Sequence, residues 1–285
     1  MMLNLFDRAP ALHTALAFLV RVGSLADMMI HELGHAVVQL PFGTPLPSIK
    51  VASLNGDAAT YPHPPILLTA LPKWIDAPLA WCFRLLTLLS GHSASVLLGI
   101  VLLAAGLGRE FSFTPLWGSV VAFAVLAALL MSTPLYGLGL PFAVVSTVLF
   151  IVCLVVPHED VVTLSGSHFG LLLLTGVCLL LLMCSRSLRA FLLTFGFIGF
   201  VTVSFLLSAV VPFAWALVLL GLFLISSGVA VLFLETLETY RDPSRENDFS
   251  VATDEFGGHR LLWLAVFYVG LVVILINLIP ALMTP

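Results

Sequence analysis

The chain has 285 residues, of which 60% are hydrophobic and 9% charged, and its 11 Lys and Arg against 15 Asp and Glu give a net charge of −4. An ordinary soluble domain carries about 25% charged residues, so a soluble globular enzyme and a disordered chain are both excluded. Without a basic surplus there is no footprint for nucleic acid. The composition is that of an integral membrane protein of several spans.

Apolar runs between breakers give about eight candidate membrane helices: 11–40, 79–105, 115–131, 141–156, 168–184, 190–211, 213–234 and 261–279. A crossing helix needs about 20 mostly apolar residues. Trp74, Trp81, Trp117 and Trp263 lie near the ends of these runs, where interfacial tryptophans belong. The expected fold is therefore all-α and polytopic, one integral membrane domain over 1–285. Lys50, Lys73, Arg84, Arg186, Arg189, Arg241, Arg245 and Arg260 fall on one side, against Arg8 and Arg109 on the other, with Arg21 inside the first run. The positive-inside rule makes the first side cytoplasmic and puts both termini outside.

The first run ends in the most informative residues of the chain, His31-Glu32-Leu33-Gly34-His35. Residues i and i+4 share a helix face, so both imidazoles of an H-E-x-x-H can hold one Zn2+ while the Glu reaches the attacking water. A shuffled chain of this composition yields about 0.005 such matches. Ionisable groups inside an apolar helix are costly, roughly 2–3 kcal/mol for each charge. Asp27 lies one turn before His31 and can accept an imidazole N–H; a carboxylate facing a wet cleft is the equal alternative.

Residues 41–78 follow, rich in proline, with a hairpin expected where 48–54 and 57–61 flank Asn55-Gly56. Residues 11–105 thus read as a metal-site core with a hairpin loop. An edge strand there, with Ile49 and Val51 as its contact residues, can pair with an unwound substrate segment by β-augmentation; a plain interfacial turn is the alternative. The second run carries Ser90-Gly91-His92-Ser93-Ala94-Ser95. Further spans occupy 106–234, and His158-Glu159-Asp160 between two of them reads as a solvated loop. Residues 235–260 form an acidic cytoplasmic loop holding Glu235, Glu238, Asp242, Glu246, Asp248, Asp254 and Glu255, before the last span in 261–285. Cys82, Cys153, Cys178 and Cys184 have no CxxC spacing and read as small buried residues.

An H-E-L-G-H in the first span of a polytopic chain resembles the site-2 proteases, zinc metalloproteases that cut within membranes. Residues 25–100 resemble best the branch with a hairpin after the motif and a Gly-Tyr element in the next span. Gly91 matches that element, and His92 stands where the family has Tyr. Residues 228–257 resemble that branch's acidic segment more loosely, with Glu238 in the place of its first Asp. The resemblance implies a catalytic Glu32, zinc on His31 and His35, a cavity or oxyanion role for His92 and substrate contact at Gly91. It also implies a membrane-spanning or membrane-associated protein as substrate. The Leu-Asp-Gly element that supplies the third ligand in another branch is missing after Asn277-Leu278-Ile279-Pro280. The third ligand stays open, ranked Glu238, then Asp254, then His92. Two other functions fit the same residues: a transporter or channel using the His-Glu-His group for protons or metal, and a catalytically silent relative. Oligomeric state is not legible.

Overall fold

The computed structural model describes the backbone of residues 10–51, 58–61, 72–155, 162–242 and 247–283. Its helices fall on the apolar runs: α1 Pro10–Val37, α2 Lys73–Gly106, α3 Pro115–Met131, α4 Tyr136–Val155, α5 Gly166–Cys184, α6 Leu188–Leu206 and α7 Phe213–Arg241. A short α8 (Asp248–Phe256) and a final α9 (Arg260–Met283) complete the order. Among the described residues five helices, α2, α5, α6, α7 and α9, are long and apolar enough to cross a bilayer, as expected of an integral membrane protein. The expectation of eight crossings exceeds this number. The difference is α1, whose side chains are described only from Ser24, and two shorter apolar helices, Pro115–Met131 and Gly137–Cys153.

Antiparallel strands β1 (Ser48–Val51) and β2 (Ala58–Tyr61) form the expected hairpin, with Ser48 opposite Tyr61 and Val51 opposite Ala58. Its Asn55-Gly56 turn and Asp57 lie outside the described residues, as do His158, Glu159 and Asp160. A second pair, β3 (Phe111–Phe113) with β4 (Val162–Leu164), was not expected from the sequence. The second edge of β1 is taken by the turn between α5 and α6: Arg186 N–H donates to Ile49 O at 3.1 Å and Val51 N–H to Ser187 Oγ at 3.2 Å. Ile49 and Val51 are buried and join a core with Met29, Leu33, Ala36, Ala128, Leu181 and Cys184. Leu46 N–H donates to Ser132 Oγ at 3.0 Å, which brings the α3–α4 turn to the same end of the bundle.

Two tight crossings hold the bundle. Gly34 of α1 lies where a Cβ would stand 2.6 Å from Ser90 O of α2. Further along α2, a Cβ on Gly99 would lie 2.7 Å from Gly221 O, one on Gly106 2.6 Å from Ala214 O, and one on Gly228 2.9 Å from Val96 Cγ2. Membrane helices lack a hydrophobic drive to associate, so small residues that let backbones approach supply the contact.

Candidate metal centre

The glycine seam has a seven-residue spacing on each helix. On α2 it runs His92, Gly99, Gly106; on antiparallel α7 it runs Gly221, Gly228, Glu235. Residues seven apart lie two turns along one helix face, so the seam that joins the helices ends with His92 facing Glu235. Their Nε2 and Oε2 atoms are 3.2 Å apart.

The α1–α2 crossing brings in the H-E-x-x-H pair. A Cβ on Gly91 would strike the His35 ring and stand 2.9 Å from His31 Nε2, so the missing side chain is the space the imidazoles occupy. His35 Nδ1–H donates to Thr87 O at 2.7 Å. That fixes its tautomer and leaves the Nε2 lone pair pointing inward. His35 Nε2 and His31 Nε2 are 3.1 Å apart.

Asp248 closes the group from α8. Its Oδ2 lies 3.5 Å from His31 Nε2, 3.6 Å from His35 Nε2 and 3.2 Å from His92 Nε2. Donor atoms of His31, His92 and Asp248 all fall within 4.8 Å of one another, and this group could hold a metal ion. Burial opposes charge on the Asp248 carboxyl. The neighbouring imidazoles of His31 and His92 outweigh that and hold the carboxyl well below the usual carboxylate range.

Local chemistry fixes α8 here. Asn247 caps the helix: its Oδ1 accepts from Ser250 N–H at 3.0 Å, Ser250 Oγ accepts from Asn247 N–H at 2.8 Å, and Asn247 Nδ2 donates to Thr239 Oγ1 of α7 at 2.7 Å. Such a cap is worth about 1 kcal/mol. Phe249 is fully buried, stacked on His92 at a 5.7 Å ring separation and edge-on to Phe267 of α9. At the other end Phe256 sits between Trp81 of α2 and Trp263 of α9.

The other residues singled out by sequence take varied places. Glu32 is half-buried on the helix turn that carries both histidines. Asp27 is 2% exposed, with the Ser95 and Ser227 hydroxyls beside its carboxyl. Glu238 is half-buried on α7, outside the group formed by His31, His92 and Asp248. Asp254 is exposed on α8, more than a turn beyond Asp248. Ile49 and Val51 face the core and not an open surface. Sequence reasoning counted Glu235 and Asp248 in an acidic stretch without separating them from their neighbours. The signals that separate them are the seven-residue spacing through Gly228 for Glu235, and the Asn247–Ser250 capping pattern with Phe249 for Asp248.

Asp248 Oδ2, Glu235 Oε2, both ring nitrogens of His92 and Asp27 Oδ1 are buried without a hydrogen-bond partner. Buried polar atoms left unsatisfied cost about 1–3 kcal/mol each. A cluster with this many such atoms fits a cation.

No family model, curated protein or solved structure matches this chain.

Proposed function

We propose that the chain is an intramembrane zinc metalloprotease in which His31, His35 and Asp248 hold the metal and Glu32 is the general base. One observation carries this reading: the three donor atoms form a triangle with edges of 3.1, 3.5 and 3.6 Å. A tetrahedral zinc with bonds of 2.0–2.1 Å has ligand–ligand edges of about 3.3–3.4 Å. Asp248 takes the third-ligand role that the sequence ranking gave first to Glu238, because it is the carboxylate that faces both histidines of the motif.

Zinc, when bound, lowers the pKa of water and polarises a carbonyl. Glu32, between the two histidines on the same helical turn, takes the proton of the attacking water and returns it to the leaving amine. The Thr87 carbonyl holds His35 in the ligating tautomer. His92 stands beside the group, with its Nε2 3.2 Å from Asp248 Oδ2.

The substrate is a membrane-embedded or membrane-associated protein. An apolar groove of about 1030 Å³ opens between α6 and α7, with Ala26, Met29 and Ile30 of α1 on its wall. Ile30 immediately precedes His31, so a membrane helix lodged there would lie beside the motif. The segment to be cut must unwind, and β2, the outer strand of the hairpin next to α1, is a template for it. By the charge bias of the loops this end is cytoplasmic.

A polytopic transporter or channel is the second reading, favoured by the chain of His and carboxylate side chains from Asp27 to Glu235. The two separate on purified wild type and Glu32→Gln, with bound zinc measured and a panel of single-span substrates followed. The protease reading expects stoichiometric zinc in both and cleavage only in wild type. Metal or proton transport without cleavage overturns it in favour of the transporter. Zinc with neither activity leaves a silent relative.

A further inference from the structure

His92 Nε2 stands 3.2 Å from Glu235 Oε2 and 3.2 Å from Asp248 Oδ2. All three atoms are buried without a hydrogen-bond partner, and His92 itself is only 7% exposed. An imidazole N–H carries one proton along one direction, so it serves one carboxylate well and leaves the other facing a poorly aligned donor. A divalent cation between them serves both carboxylates and the imidazole together, and the two 3.2 Å separations from His92 Nε2 are close to the edges of a tetrahedral ion.

We propose that a second cation position lies between His92, Glu235 and Asp248, with Asp248 shared between it and the His31–His35 position. One imidazole and two carboxylates suit a first-row divalent ion such as Zn2+ or Mn2+. The position is built by three elements, each fixed independently. The glycine seam of α2 and α7 sets His92 against Glu235, and the Asn247 cap with the Phe249–His92 stack sets Asp248 against both. The same Asp248 oxygen faces His31 and His35, so one carboxylate borders both positions. Carboxylate-rich sites of this kind hold paired ions in many hydrolases, where the two metals together stabilise attacking and leaving oxygens. The metal count does not depend on the hydrolytic reading; only the second ion's part in cleavage rests on it.

The test is metal content of the full-length protein in detergent, loaded with Zn2+ or with Mn2+ and stripped of loose ions on a chelating resin. Two ions per chain are expected in wild type, and one in Glu235→Gln and in His92→Asn. One is also expected in the His31→Gln/His35→Gln double variant. With Mn2+, the wild type should give the electron paramagnetic resonance spectrum of a spin-coupled pair, and Glu235→Gln that of an isolated ion. Thermal melting of each variant confirms that it is folded, and the two single variants at different helices back each other up. A single ion in wild type overturns the proposal and makes His92 an imidazolium between two carboxylates. Two ions retained in both single variants also overturn it, since the extra one is then an adventitious ion only. Glu32→Gln should keep both ions whatever its cleavage, so the count and the hydrolytic reading fail separately.

Discussion

Gly99 and Gly221 touch backbone to backbone: a Cβ on the first would lie 2.7 Å from the carbonyl oxygen of the second, and one on Gly221 2.6 Å from Gly99 O. No side chain fits between α2 and α7 at this level. His92 and Glu235, seven and fourteen residues along the two helices, inherit their separation from this contact. Gly99→Val should push the helices apart at a cost of about 1–3 kcal/mol. Thermal unfolding should report that loss, and metal content should fall with it. Undiminished stability would show that the crossing is loose.

Gly91→Ala is a sharper probe of the site, because the methyl falls on the His35 ring and not on backbone. The helix gains a better helix former by about 1 kcal/mol, so the fold should persist while the imidazoles are displaced. Zinc affinity is expected to drop at least tenfold with an unchanged helical circular dichroism spectrum. Full affinity in the variant would mean that the rings are not fixed where the structure has them.

Asp248 should carry the metal and Glu238 and Asp254 should not. Asp248→Asn is expected to lose bound zinc, while Glu238→Gln and Asp254→Asn keep wild-type content by elemental analysis. Loss of zinc in either of the latter with retention in Asp248→Asn would restore the ranking made from sequence.

The same carboxylate gives a pH dependence in metal-free protein. Its folded pKa is depressed below the unfolded value of about 3.9, so its stabilisation is complete above about pH 4 and is lost as the pH falls through the folded value. Asp248→Asn should therefore melt below wild type at neutral pH, and the gap should close on acidification below about pH 4. A gap that grows with acid would contradict the charge pairing with His31 and His92.

Gly196 lines the groove between α6 and α7, and a Cβ there meets nothing within 4 Å. Gly196→Leu should fill part of the groove without strain, slowing cleavage of single-span substrates and sparing zinc content. Equal rates in the two proteins would remove the groove from the substrate's path.

What the sequence made legible was whatever is local. His31, Glu32 and His35 share one helical turn, and the two short β-prone stretches that pair as β1 and β2 lie within a few residues of each other. Apolar runs located the helices because a bilayer demands them. Asp248 was hidden because seven carboxylates crowd the stretch from Glu235 to Glu255, and which one turns inward depends on a cap at Asn247 and on where Phe249 finds a ring to stack on. Ile49 and Val51 showed the alternation of a strand, and alternation does not tell a buried face from one open to a partner. β3 and β4 are three residues each, too short to stand out from a loop, and they pair across residues 114–161.

His31 meets its carboxylate partner only after α2 through α7 have been made, because Asp248 belongs to the short helix before the last one. A growing chain carries the H-E-x-x-H turn into the membrane early and waits for α8 before the donor set is complete. During most of its synthesis the protein therefore carries an incomplete donor set, and a chain cut short before α8 lacks the carboxylate that faces its histidines.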